Sequence, residues 1–148
     1  MTAAIVVGYD DTRAGEAALD RALEEATASG GKLVVVMVSE MPLDVEGPMS
    51  FGTPGDGFAT PLPLVEPPDT QRLRAAASER IEAAGVEADY VWETGEPAGA
   101  IVREARDRGA AAIVVGKGHH SRLARWLGAD IAAEVERAAG CKVIVVEP

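Results

Sequence analysis

Cysteine is nearly missing from this chain. Cys141 stands alone, which excludes a disulfide within the chain and a cysteine-only metal cage, and fits a reducing compartment. Aromatic residues are scarce at 4%, so a packed core must rest on Val, Ile, Leu and Ala. Basic charge is short as well: 14 Lys and Arg against 24 Asp and Glu leave a formal net charge of -10. Phosphate backbones and anionic membrane surfaces both demand a basic face, so neither nucleic acid nor membrane is an expected partner. No apolar run approaches the ~18 residues of a membrane span. The opening MTAAIVVGYDD has no basic start and only a brief apolar run, and reads as a strand rather than a signal peptide. Together these absences point to a soluble, cytoplasmic protein. Catalytic signatures are missing too: there is no Gly-x-Ser-x-Gly elbow, Walker lysine motif or His-Glu-x-x-His helix. No enzyme activity is expected; a weak phosphohydrolase would have only His119 or His120 as its base.

What is present is 148 residues, 47% of them hydrophobic, enough for one domain with a real core. Short apolar runs alternate with helical periodicity. Ala3 to Val7, Lys32 to Val38, Val86 to Trp92, Ala110 to Val115 and Lys142 to Val146 read as five strands, most of them apolar enough to be buried on both faces. Helices are expected over Ala14 to Ser29, Thr70 to Ala84, Ala98 to Arg108 and Ala129 to Ala139. Asp11 or Thr12 suits the first helix's N-cap, Glu16 suits its positive end, and Gly30 with Gly31 stops it. Strands alternating with helices imply a parallel sheet with right-handed crossovers and helices on both faces. Between Ser39 and Asp69 the pattern breaks, because seven of the nine prolines fall there. A proline- and glycine-rich loop of about 39–69 is expected, either a surface loop or a lid bringing Phe51, Phe58 and Leu64 over a site.

The stretch from Ile113 to Asp130 organises the rest. The strand IVVG ends in Gly116, the loop KGHHSRLARWL follows, and Gly128 opens an alanine-rich helix. A buried strand running into a glycine loop and a helix start is a natural anion cradle, since free backbone N–H groups converge there. If the first and fourth strands flank the point where the winding reverses, Gly8 to Thr12 faces Gly116 to Ser121, and the ligand pocket lies between them.

The fragments VVGYDDTRAGEAAL, TGEPAGAIVREARDRGAAAIVVG and GCKVIVV together resemble the universal stress protein family over nearly the whole chain apart from the proline-rich insert. The resemblance implies an α/β fold: a single-layer, Rossmann-like sheet of five parallel strands in order 3-2-1-4-5, akin to the adenine nucleotide alpha hydrolases, as one domain spanning 1–148. It also implies a dimeric stress-response module, one branch of which binds ATP. That branch carries Gly-x-x-Gly, nine residues, then Gly-Ser or Gly-Thr. Gly116 and Gly128 match its first and later glycines. His119 stands where the second glycine belongs, with Gly118 one place early, and the loop is one residue short. Ala129 replaces the phosphate-binding hydroxyl, with Asp130 beside it. Asp10, after Gly8, matches the nucleotide-holding aspartate at the end of the first strand, and Val38 and Val115 match walls of the adenine pocket. Ala111 stands where an aspartate is common.

On the resemblance, the adenosine half of the site is retained and the phosphate half altered. A lost hydrogen bond to a charged group costs about 1.5–3 kcal/mol, or about 10- to 100-fold in affinity. Lys117, Arg122 and Arg125 offer cationic replacements, or form a solvated face. Two readings therefore stand: ATP or AMP bound, with Mg as a companion candidate, through a modified glycine loop; or an interaction module with a vestigial pocket. For the remaining residues the bland assignments are preferred. His119 and His120 are read as exposed loop residues rather than metal ligands, Asp10 as a ribose contact and Asp11 as a cap rather than a magnesium pair. Cys141 is read as a small buried hydrophobe, and Trp92 and Trp126 as packing at element ends. The final strand, Lys142 to Val146, is too apolar for a free edge, and pairing across a two-fold axis to form a homodimer answers it. Lys142 stands where the family usually has proline.

Overall fold

The computed structural model describes residues 3–39, 66–117 and 130–148. Five strands, β1 (Ala4–Gly8), β2 (Lys32–Ser39), β3 (Ala88–Thr94), β4 (Ala112–Gly116) and β5 (Lys142–Val146), alternate with helices α1 (Arg13–Ser29), α2 (Pro68–Ala83), α3 (Pro97–Asp107) and α4 (Ile131–Ala138). The strands form one parallel sheet in the order β3-β2-β1-β4-β5. This is the topology implied by the resemblance.

Because side chains alternate along a strand, the sheet builds two cores. Ile5, Val7, Leu33 and Val35 pack with Leu19 of α1 and Ile81 of α2 on one face. Val6, Val34, Ile113 and Val115 pack with Ile101 of α3 and Val135 of α4 on the other. Burying each such side chain contributes about 1.5–3 kcal/mol, and the β-branched runs that suggested strands supply most of both layers. The weakest layer is α2, whose buried residues are Thr70, Ala77 and Ile81. Arg80 reinforces it by pairing with Glu16 and Asp20 of α1.

Several boundaries differ from the sequence reading, each for a local reason. The second strand runs on to Ser39, and the helix expected from Thr70 begins at Pro68, so the proline-rich stretch is shorter at both ends than 39–69. Proline is tolerated at the first helical position because its missing N–H would have had no intrahelical partner. The same rule starts α3 at Pro97. The third strand begins at Ala88 rather than Val86, because the Val86 amide is still bonded to the Ile81 carbonyl (3.3 Å) after the left-handed turn at Gly85 (φ 70°). The fourth begins at Ala112 rather than Ala110, whose amide closes α3 on Ala105 (2.9 Å). Thr12, not Asp11, caps α1, and Asp130 caps α4. The expectations placed on Phe51, Phe58, Leu64, Gly118, His119, His120, Arg122, Arg125, Trp126, Gly128 and Ala129 lie outside the described residues.

Candidate functional site

The winding reverses between β1 and β4, and a cavity of about 70 Å³ opens there beyond the strand C-termini. This is where open α/β sheets hold ligands. Its floor comes from the strand ends: Gly8 closing β1 with Tyr9 and Asp10 just after it, Val36 and Val38 of β2, and Val115 of β4. Its side wall comes from Pro97 and Ile101 of α3 and Ile131 of α4. At Gly8 a Cβ would stand 2.7 Å from Ile101 Cδ1, so the missing side chain lets α3 close down on the floor. A larger cleft of about 290 Å³ lies at the other end of the sheet, among Ile113, Cys141 and Arg106. It gathers one charged group and no converging polar set, which makes it the poorer candidate.

Ladder parity gives Val38 a chemical role. Tyr9 N–H donates to the Val36 carbonyl (3.0 Å), while Gly95 N–H donates to the Ser39 carbonyl on the β3 side (3.2 Å). In a parallel strand alternate residues bond to opposite neighbours, so the Val38 amide and carbonyl turn toward β1. There β1 has already ended, since Gly8 is registered on Val36.

Asp10 sits at the mouth. One of its oxygens, Oδ1, accepts the Thr12 amide (3.1 Å) and the Thr12 hydroxyl. Beside it, the buried Tyr9 hydroxyl donates to Glu16 Oε1 (2.9 Å). Burial first, then the Glu16 carboxylate, pushes the phenol up to about 12, so it remains a donor at neutral pH. Trp92 donates its indole N–H to Ser39 Oγ (2.7 Å) at the end of β2. Cys141 is half-buried just before β5, and burial pushes its thiol up; a thiol held protonated is a poor nucleophile.

Two carboxyl pairs lie between α3 and its neighbours. Glu96, the N-cap of α3, meets Glu134 of α4, and that contact is the main reason Glu134 lies above the usual carboxylate range. Glu93 of β3 is raised by burial first, then by the Glu104 carboxyl, against the pull of Arg103 (2.8 Å). Asp89 goes the other way, lowered by Lys32 first and then by Arg108. A raised carboxyl adds stability that is complete below its unfolded-chain pKa of about 4.3 and lost as pH rises through the folded value. Glu134→Gln removes the like-charge contact. Its melting temperature is expected to exceed that of the unmodified chain near pH 7.5, with the gap closing toward about pH 4. A constant gap across that range would mean that the contact with Glu96 does not raise Glu134.

Of the candidates drawn from sequence, the cavity brings together Gly8, Asp10, Val38 and Val115. Gly116 is buried behind it, where a Cβ would fall onto the Ala14 carbonyl of α1 and stand 2.8 Å from Ala14 Cβ. Lys117 points elsewhere: its amide donates to the Val146 carbonyl (2.7 Å) and its Nζ lies 3.5 Å from Glu147 Oε1. Val36, Pro97, Ile101 and Ile131 went unread. Val36 was within reach, two residues before Val38 on the same strand face. The other three come from helices, and no sequence spacing ties a helix residue to a particular strand end.

Comparison with known proteins follows the same lines. The sequence matches the profile of the Universal stress protein family over residues 1–147. It is similar to universal stress protein YxiE of Bacillus subtilis (strain 168), 31% identical over 70 residues. That alignment spans 47% of each chain, so it covers about half the length of the Bacillus protein. The fold is similar to that of a universal stress protein solved in complex with cAMP, with a TM-score of 0.70 and 24% identity over 99% of this chain and 97% of that one. It is also similar to the universal stress protein of Archaeoglobus fulgidus solved in complex with dAMP, with a TM-score of 0.62 and 24% identity over 97% of this chain and 96% of that one.

Proposed function

The chain belongs to the universal stress protein family, and from that premise we propose that it is a stress-response module that binds an adenine nucleotide, ATP or AMP, at the reversal point of its sheet. The observation that carries this reading is the cavity itself, apolar on its walls, with Asp10 at its mouth and the Val38 main chain turned toward it. The chemistry of its lining suits the edge of an adenine ring. Val36, Val38, Val115 and Ile101 would cover its faces, and a backbone amide and carbonyl match the acceptor and donor on its Watson–Crick edge. Asp10 would accept from ribose hydroxyls. The phosphates are proposed to fall to the β4–α4 connection, with Gly118, Arg122, Gly128 and Ala129 as contacts, since Gly116 is packed against Ala14 and Lys117 is turned to Glu147. Solved relatives that carry cAMP and dAMP support an adenine ligand class.

Among the described residues no three His, Cys, Asp or Glu side chains gather as a metal cage. Magnesium is therefore proposed to arrive on the nucleotide, held by phosphate oxygens and water, as this ion prefers. No catalytic step is proposed. Among the described residues no helix is long and apolar enough to cross a membrane; the cytoplasmic placement is proposed from the composition of the chain. The chain is further proposed to work as a homodimer joined through β5.

Calorimetric titration with ATP-Mg and with AMP tests the reading. A saturable isotherm is expected, weakened about 10- to 100-fold by Asp10→Ala. No heat at millimolar nucleotide, with none released on denaturation, would instead favour an interaction module with a vestigial pocket. The alanine at position 129 is the residue that favours that alternative, because it offers a phosphate no hydroxyl.

A further inference from the structure

We propose that Thr12 and Gly15 are the positioning residues that set the Asp10 carboxylate for ligand contact. The inference rests on the nucleotide reading above. Asp10 lies in the short link between β1 and α1, where a carboxylate would ordinarily be free to rotate. Here its place is fixed from both sides. Ahead of it, the Tyr9 amide is bonded to the Val36 carbonyl (3.0 Å), which fixes where the main chain leaves the sheet. Behind it, Thr12 is extended (φ -82°, ψ 163°) as the N-cap of α1. That conformation brings its amide (3.1 Å) and its hydroxyl proton onto Asp10 Oδ1.

The Thr12 hydroxyl does two things at once. Its oxygen accepts the Gly15 amide (3.1 Å) while its proton goes to Asp10. The first turn of α1 is thus linked through one hydroxyl to the carboxylate, and each bond polarises the next. Gly15 supplies the space. A Cβ there would overlap Asp10 Oδ1 and stand 2.5 Å from the Asp10 carbonyl oxygen and 2.8 Å from its nitrogen. Any side chain at position 15 therefore moves either Asp10 or the start of α1. Neither residue lines the cavity, so their effect on a ligand passes through Asp10.

Thr12→Asp separates this role from helix capping. Aspartate is as good an N-cap as threonine, so α1 keeps its cap, but Asp10 loses its hydroxyl donor and faces a second carboxylate. ATP affinity is expected to fall about tenfold or more, while Thr12→Ser retains it and Gly15→Ala loses a similar factor. Circular dichroism and thermal melting confirm that each variant is folded. The decisive arm is the double variant: in an Asp10→Ala background, Thr12→Asp should weaken ATP no further. Additive losses, or unchanged affinity in both Thr12→Asp and Gly15→Ala, would overturn the positioning role while leaving nucleotide binding intact. Failure of the unmodified protein to bind ATP or AMP would remove the nucleotide reading, and this inference with it.

Discussion

Gly116→Val is expected to lower the stability of the fold by about 3 kcal/mol, the upper part of the range for overpacking a core. For a chain of this length that is a fall of about 6–12 °C in melting temperature. Its place at the head of the glycine pattern suggests a phosphate contact, yet the geometry supplies a sufficient packing reason for glycine. The first turn of α1 crosses the end of β4 so closely that even a Cβ at position 116 would fall onto the Ala14 carbonyl. Valine must push α1 away from β4. Because Thr12 and Gly15 sit in that same turn, nucleotide affinity should fall together with stability. A variant that keeps its melting temperature and loses only affinity would return Gly116 to the role of a direct phosphate contact.

The second large effect concerns assembly. β5 is a sheet edge, and Val143, Ile144, Val145 and Val146 are only half-buried in the isolated chain. The Val146 carbonyl accepts from Lys117 of the β4 side, so by parity the main chain of Val143 and Val145 faces outward. Val145→Pro removes an outward N–H without touching the β4 ladder, which is where a sheet tolerates proline. In an isologous dimer the change is felt twice, once from each protomer. Two lost hydrogen bonds together with the disturbed strand contact should cost about 3 kcal/mol, or about 100-fold in dimer affinity. Sedimentation velocity should find the unmodified protein as a dimer and the variant as a folded monomer of 15.3 kDa. A monomeric unmodified protein would overturn the dimer proposal, and a dimeric variant would move the interface away from this edge.

Legibility tracked the range of the interactions. KLVVVMV and KVIVV are strands because β-branched runs of that length suit a buried, extended chain, and both ranges hold to within one residue. The errors cluster where a helix hands over to a strand. Val86 and Ala110 are apolar and look like strand, but their amides are bonded to the preceding helix. Periodicity cannot see a helix cap that reaches back five residues. Pro68 shows the converse: proline breaks the interior of a helix but suits its first turn, where α2 begins.

The sequence by itself determined that this is a parallel α/β protein with a strand-end aspartate and apolar residues around a reversal point, because burial pattern and element order are local properties of the chain. The family followed from fragments in the right order and spacing. Only the tertiary structure decided which residues share the cavity. Pro97, Ile101 and Ile131 reach it from two helices packed on one face of the sheet, and their meeting depends on crossover geometry that no spacing encodes. Tertiary structure also supplied physical reasons for three glycines. Gly8, Gly15 and Gly116 each mark a place where a neighbouring segment comes too close for a Cβ, and such closeness exists only once the chain has folded.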